Sequence, residues 1–150
     1  MYRAPCSPVG CSVVSLEPTK TRSVCDVALE LGLRGEATMA VTAENTALAH
    51  GSGDVDVLST PALLQLMQQA TMSAIAGHLA EGVITAGLRV NVDHLHGSPI
   101  GATLHAVATL VRIEGRRLVF EVEATSEDVI VGLGRIVRVR IDREQFLSRL

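Results

Sequence analysis

The sequence predicts an α+β fold in which a curved antiparallel sheet wraps one long central helix. Three features carry this: a single charge-free segment with helical apolar spacing, a series of β-branched stretches after it, and short turn-like separators between those stretches. The first element is a strand. "GEATMAVTAENT" at 35–46 sets Ala37, Met39 and Val41 against Thr38, Ala40 and Thr42, the two-residue period of a half-buried strand, and ends at the turn-forming Glu44 and Asn45. "AHGSGDVDV" at 49–57 then reads as a Gly-rich loop.

The helix opens in "VLSTPALLQLMQQA" at 57–70, where Thr60 or Ser59 can serve as N-cap and Pro61 falls in the first turn, where its missing N–H costs nothing. Leu63, Leu66, Met67, Ala70 and Ala74 form one apolar stripe, and Leu64, Ile75 and Leu79 a second, so the helix is apolar over most of its circumference and is expected to be wrapped. The wrapping material follows in "VITAGLRVNVDHLH" (83–96), "ATLHAVATLVRIE" (102–114), "RLVFEVEAT" (117–125) and "VIVGLGRIVRVRID" (129–142). The separators 96–101, 114–116 and 126–128 are short enough to join antiparallel neighbours, and the four stretches read as a meander.

A chain of 150 residues suits one domain with its own core. Residues 1–28 mix Pro, Ser, Cys and Gly without a period and are expected to be a loosely ordered leader, with the folded domain at 29–150. Cys6, Cys11 and Cys25 all fall in that leader, have no CxxC spacing, and imply neither a metal site nor a disulfide framework. A net charge of −3 and 2% aromatic residues offer neither the basic footprint nor the stacking platforms of a nucleic-acid binder. The run Val57 to Ala80 is long enough for a membrane span, but it carries Pro61, Gln65, Gln68, Gln69 and His78 and reads as a buried helix of a soluble protein. The first residues lack the uninterrupted apolar stretch of a secretory signal, so a cytoplasmic location is expected.

Three positions could carry chemistry. Thr60 sits at a helix N-terminus, beside backbone N–H groups that can hold a carbonyl or an oxyanion, although a Thr there can equally be a simple cap. His94, in "RVNVDHLHGSPIG", offers an imidazole able to move protons near neutral pH. His94 and His96 share strand parity opposite Asp93, with no third metal ligand in view, and a strand-end His is often only a hydrogen-bonded surface residue. Gln68 falls on the rim of the second stripe, where a buried amide needs polar partners and an exposed one would merely join Gln65 and Gln69 in solvent.

From about Leu31 to Leu150, the segments "LGLRGEATMAVTAENTA", "VLSTPALLQLMQQA", "GLRVNVDHLHGSPIGATL", "EGRRLVFEVEA" and "REQFLSRL" resemble the fluoroacetyl-CoA thioesterase family of the hot-dog superfamily. The resemblance implies a catalytic Thr at the helix start, a Glu two turns on and a His on the next strand, which fall on Thr60, Gln68 and His94. It also implies substrate-binding roles for Gly87 and Arg138, while Ile136 stands where relatives often have a His. The implied activity is hydrolysis of a small or medium acyl-CoA thioester by a homodimer, with no cofactor, metal, nucleic acid or membrane involved.

Gln68 departs from that pattern, because a neutral amide can position water or the thioester oxygen but can neither take a proton nor attack a carbonyl. His94 would then be the base, with Asp54 and Asp56 as conceivable substitutes for the carboxylate. Two other readings follow: an acyl-CoA binding or sensing protein that keeps the pocket without the acid, and a hot-dog dehydratase or hydratase, for which only one base is in view.

Overall fold

A computed structural model of the chain describes residues 29–150. The leader at 1–28, with Cys6, Cys11 and Cys25, lies outside the described residues. The elements are β1 (Arg34–Ala40), α1 (Ala47–His50), α2 (Thr60–Ile75), β2 (Val83–His94), β3 (Thr103–Glu114), β4 (Arg117–Ser126), β5 (Val129–Asp142) and α3 (Arg143–Leu147).

The strands form one curled antiparallel sheet in the order β1-β3-β4-β5-β2, with α2 laid across its inner face. The α+β class is as expected, but the four-strand meander is not. Only β3, β4 and β5 run as consecutive hairpins; β2 pairs with β5, Gly87 opposite Arg138 and His94 opposite Gly132. The segment 96–101 is therefore a crossover from one side of the sheet to the other and not a hairpin turn. Its path is pinned by Leu58 N donating to Ser98 O at 2.8 Å and Gly101 N to Val41 O at 2.9 Å.

The expected apolar stripe is the packed face of α2: Leu63, Leu66, Met67, Ala70 and Ala74 are all buried against the inner face of the sheet. On β3 the alternation Leu104, Ala106, Ala108, Leu110 faces them, joined by Leu118, Phe120 and Val122 of β4 and Ile136 of β5. Phe120 is the large central residue of a core otherwise built from aliphatic side chains.

Small residues set the helix–sheet spacing. A Cβ on Gly35 of β1 would run into the backbone N of Ala74 and O of Ala70, so the strand lies directly on the helix backbone. The second stripe is shorter than expected, since α2 ends at Ile75, Gly77 follows at φ 77°, and Leu79 lies beyond the helix. Nor is α2 wrapped all round, because Pro61, Gln65, Gln69, Met72 and Ser73 are exposed in the single chain. No described helix is long and apolar enough to cross a membrane.

Candidate functional site

The start of α2 assigns separate tasks to two adjacent hydroxyls. Ser59, in extended conformation, is the N-cap: its Oγ accepts from Ala62 N at 3.1 Å and lies 2.6 Å from His50 Nδ1. Thr60 is thereby relieved of capping, and its Oγ1 lies 2.9 Å from His94 Nδ1 at the end of β2. The cap also narrows the expected set of free helix amides. Pro61 has no N–H, Ala62 N is taken by Ser59 Oγ and Leu63 N by Ser59 O, which leaves the Thr60 amide as the first-turn donor not used by the cap.

His94 is half-buried, and its Nε2 is fully buried with no hydrogen-bond partner among the described residues. Burial pushes its pKa below the usual histidine value, while the nearby His96 backbone acts in the opposite direction without completing a hydrogen bond to Nε2. The neutral imidazole is favoured, the form that can accept a proton. His96 does not join it. Its Nδ1–H donates to the Ile130 carbonyl at 2.8 Å, and no group of three potential ligands gathers around a metal position among the described residues.

A second cluster lies two turns along α2. Arg138, on the inner face of β5 and 7% exposed, donates through Nε to Thr85 Oγ1 at 3.0 Å and through Nη2 to the Thr85 carbonyl at 3.2 Å. Its Nη1 donates to Gln68 Oε1 at 2.5 Å and to Thr71 Oγ1 at 3.4 Å. Burial lowers the guanidinium pKa, and no carboxylate among the described residues offsets it.

Arginine can only donate, so the atom of Gln68 that meets Nη1 is its oxygen, and the amide NH₂ is turned the other way. There it meets Gly87, where an added Cβ would stand 3.0 Å from Gln68 Nε2. Gly87 borders a register shift in β2, and the absence of its side chain leaves the space that the amide occupies. Gln68, Gly87 and Arg138 line an open cleft of ≈ 550 Å³ together with Gln65, Gln69 and Met72.

The structure thus brings Thr60 to His94, and Gln68 to Gly87 and Arg138. It does not join the two groups within one chain, since eight residues of helix separate Thr60 from Gln68 by about 12 Å. Among the described residues, Asp54 and Asp56 are exposed and form no hydrogen bond or ion pair with either cluster. Ile136 is a fully buried core residue. Sequence reasoning missed Thr71, Thr85 and His50. Thr71 had a signal, a hydroxyl three residues after Gln68 on the same helix face; Thr85 and His50 are tied to the site only by tertiary contacts.

Residues 41–144 match the family model described as "Fluoroacetyl-CoA-specific thioesterase". A fluoroacetyl-CoA thioesterase of Streptantibioticus cattleyicolor is 32% identical over 95 residues, 63% of this chain and 68% of that protein. A solved structure of a fluoroacetyl-CoA thioesterase superposes with a TM-score of 0.75 at 27% identity, covering 81% of this chain and 94% of the other. A thioesterase superfamily member from Thermus thermophilus gives a TM-score of 0.75 at 25% identity, over 80% of this chain and 89% of its own. The fold is accordingly the hot-dog fold, and the chain belongs to the fluoroacetyl-CoA-specific thioesterase family.

Proposed function

We propose that the protein is an acyl-CoA thioesterase that hydrolyses a small or medium acyl thioester to the free acid and CoA. The observation that carries this reading is the 2.9 Å pair between Thr60 Oγ1 and His94 Nδ1, made possible because Ser59 has taken over the cap. In this reading the Thr60 hydroxyl and amide hold the thioester carbonyl. Neutral His94 takes the proton of the attacking water and returns it to the departing thiolate. The working domain is residues 29–150, preceded in the sequence by a leader at 1–28.

Gln68 contributes as a donor. Its oxygen is engaged by Arg138, so the amide NH₂ can hold a carbonyl oxygen or a water oxygen but cannot accept a proton. Gly87 makes room for it, and Arg138 fixes its orientation.

A homodimer unites the clusters. β2 is an edge strand with exposed Leu88 and Val90, and its outer edge has no partner among the described strands. If β2 pairs antiparallel with its own copy about a twofold axis between Val90 and Asn91, His94 stands across from the partner's Gly87. The Thr60–His94 pair of one subunit then faces the donor cluster of the other, which removes the separation of about 12 Å along one helix.

The test is release of free thiol from short and medium acyl-CoAs by the purified full chain. Turnover is expected and should be lost in His94→Ala. The second reading, a binding or sensing protein, is favoured by one observation: an amide at position 68 in the place of a carboxylate. It becomes correct if acyl-CoAs bind without thiol release.

A further inference from the structure

Arg138 is a buried cation whose hydrogen bonds all go to neutral groups: Gln68 Oε1, Thr71 Oγ1, and the Thr85 hydroxyl and carbonyl. Both hydroxyls meet the guanidinium as acceptors and stay neutral, their own protons directed elsewhere, that of Thr71 to the Gln68 carbonyl at 2.6 Å and that of Thr85 to Met72 Sδ at 3.5 Å. Four of the five guanidinium N–H groups are used, and one on Nη2 is uncommitted.

The ion pairs among the described residues are Arg34–Glu36, Arg112–Glu114 and Arg135–Glu121, His105 also lies beside Glu36, and none of these contacts includes Arg138. Two residues along the same inner face of β5, Arg140 is 3% exposed and is bonded to the carbonyl of Gly115, so it supplies no acceptor to Arg138. The Gln68 amide, turned by Arg138, presents its NH₂ beside Gly87 in the same cleft. This end of the cleft therefore carries positive charge and free donors, and no described carboxylate completes it.

Resting on the thioesterase reading, we propose that the Gln68–Gly87–Arg138 end of the cleft holds a carboxylate, and that the preferred substrates are thioesters whose acyl group bears a second, distal carboxylate, of the malonyl, succinyl or glutaryl type. A buried guanidinium with a free N–H and an adjacent amide donor suits the planar, doubly accepting geometry of a carboxylate. The CoA phosphates are common to every acyl-CoA, so a difference between matched acyl groups isolates this site from recognition of the CoA moiety.

The experiment compares succinyl-CoA with butyryl-CoA, and glutaryl-CoA with valeryl-CoA, by steady-state thiol release and by equilibrium binding to the full chain. Free succinate and free butyrate serve as competitors. The carboxylated member of each pair should have the lower KM and dissociation constant by about tenfold or more, which corresponds to 1.4 kcal/mol. Gln68→Glu, which supplies an internal carboxylate to Arg138, should reverse the preference, and Arg138→Met should remove it; Gln68→Glu keeps the test valid if Arg138→Met fails to fold.

Equal constants within each pair, or a preference for the neutral member, overturn the proposal. Competition by free butyrate as strong as that by succinate also overturns it, since the donors would then serve the released monocarboxylate product. Absence of hydrolysis for all four thioesters overturns the thioesterase reading alone, and the binding constants still decide the carboxylate site.

Discussion

Arg138 Nη1 donates to Gln68 Oε1 across 70 residues of sequence, and this single bond fixes what the amide can do. Because arginine has no acceptor, the Gln68 oxygen is the atom turned to the guanidinium, and the amide N–H groups lie nearer Gly87. A glutamate at position 68 would instead be held by the same guanidinium as a carboxylate, with one oxygen still able to act as a base.

Gln68→Glu should therefore raise kcat for small neutral acyl-CoAs by about tenfold or more, within the factor of roughly 10²–10⁴ that a positioned general base contributes. Steady-state thiol release on acetyl- and butyryl-CoA checks it. An unchanged rate would place the residue outside the reacting centre.

The pH profile should follow His94. Its folded pKa is lowered by burial, so the unfolded chain binds more protons in the window just below the ordinary value, and folded stability falls as pH drops through that window. Activity follows the same group: kcat/KM should hold down to a pH below the ordinary histidine value and then fall as the base is protonated. An acid limb at or above the ordinary value would remove His94 from the role of base.

Ser59 and Thr60 should separate cleanly. Ser59→Ala removes the cap and should cost about 1 kcal/mol of stability, read by urea or thermal unfolding. Thr60→Val keeps the shape without the hydroxyl and should change stability by less than about 0.5 kcal/mol while lowering kcat. The opposite pattern, with Thr60→Val destabilising and Ser59→Ala silent, would return Thr60 to the role of cap.

Two glycines make contrasting predictions. A Cβ on Gly35 meets helix backbone, which cannot yield, so Gly35→Ala should destabilise by about 3 kcal/mol or more. A Cβ on Gly87 meets the end of the flexible Gln68 side chain, so Gly87→Ala should leave the melting temperature nearly unchanged while altering kcat/KM. Unfolding curves measured beside thiol release separate the two effects.

Local chemistry was legible in the sequence wherever a short stretch decides the outcome. The β-branched stretch at 102–114 marked β3 as a strand, and the 3.6-residue stripe named the packed side of α2. Thr60 and His94 stood out singly by residue type and place, but their pairing was implied only by the family resemblance, because the strand holding His94 reaches the helix start by tertiary packing. Strand order was not legible. "HGSPIG" has the composition of a turn, and nothing local records that the next strand joins β1 and β4 while β2 joins β5. The choice between Ser59 and Thr60 as cap was also hidden, since both hydroxyls suit the position and the backbone conformation decides. Likewise the orientation of Gln68 depends on a guanidinium that arrives from the last strand.

Thiol release from the acyl-CoA panel, with the native chain and His94→Ala side by side, decides whether Thr60 and His94 together hydrolyse an acyl-CoA thioester. The native protein should turn over measurably, and the variant should lose about 10²–10⁴-fold. Thioester binding without thiol release by the native chain, or full activity in His94→Ala, would contradict it.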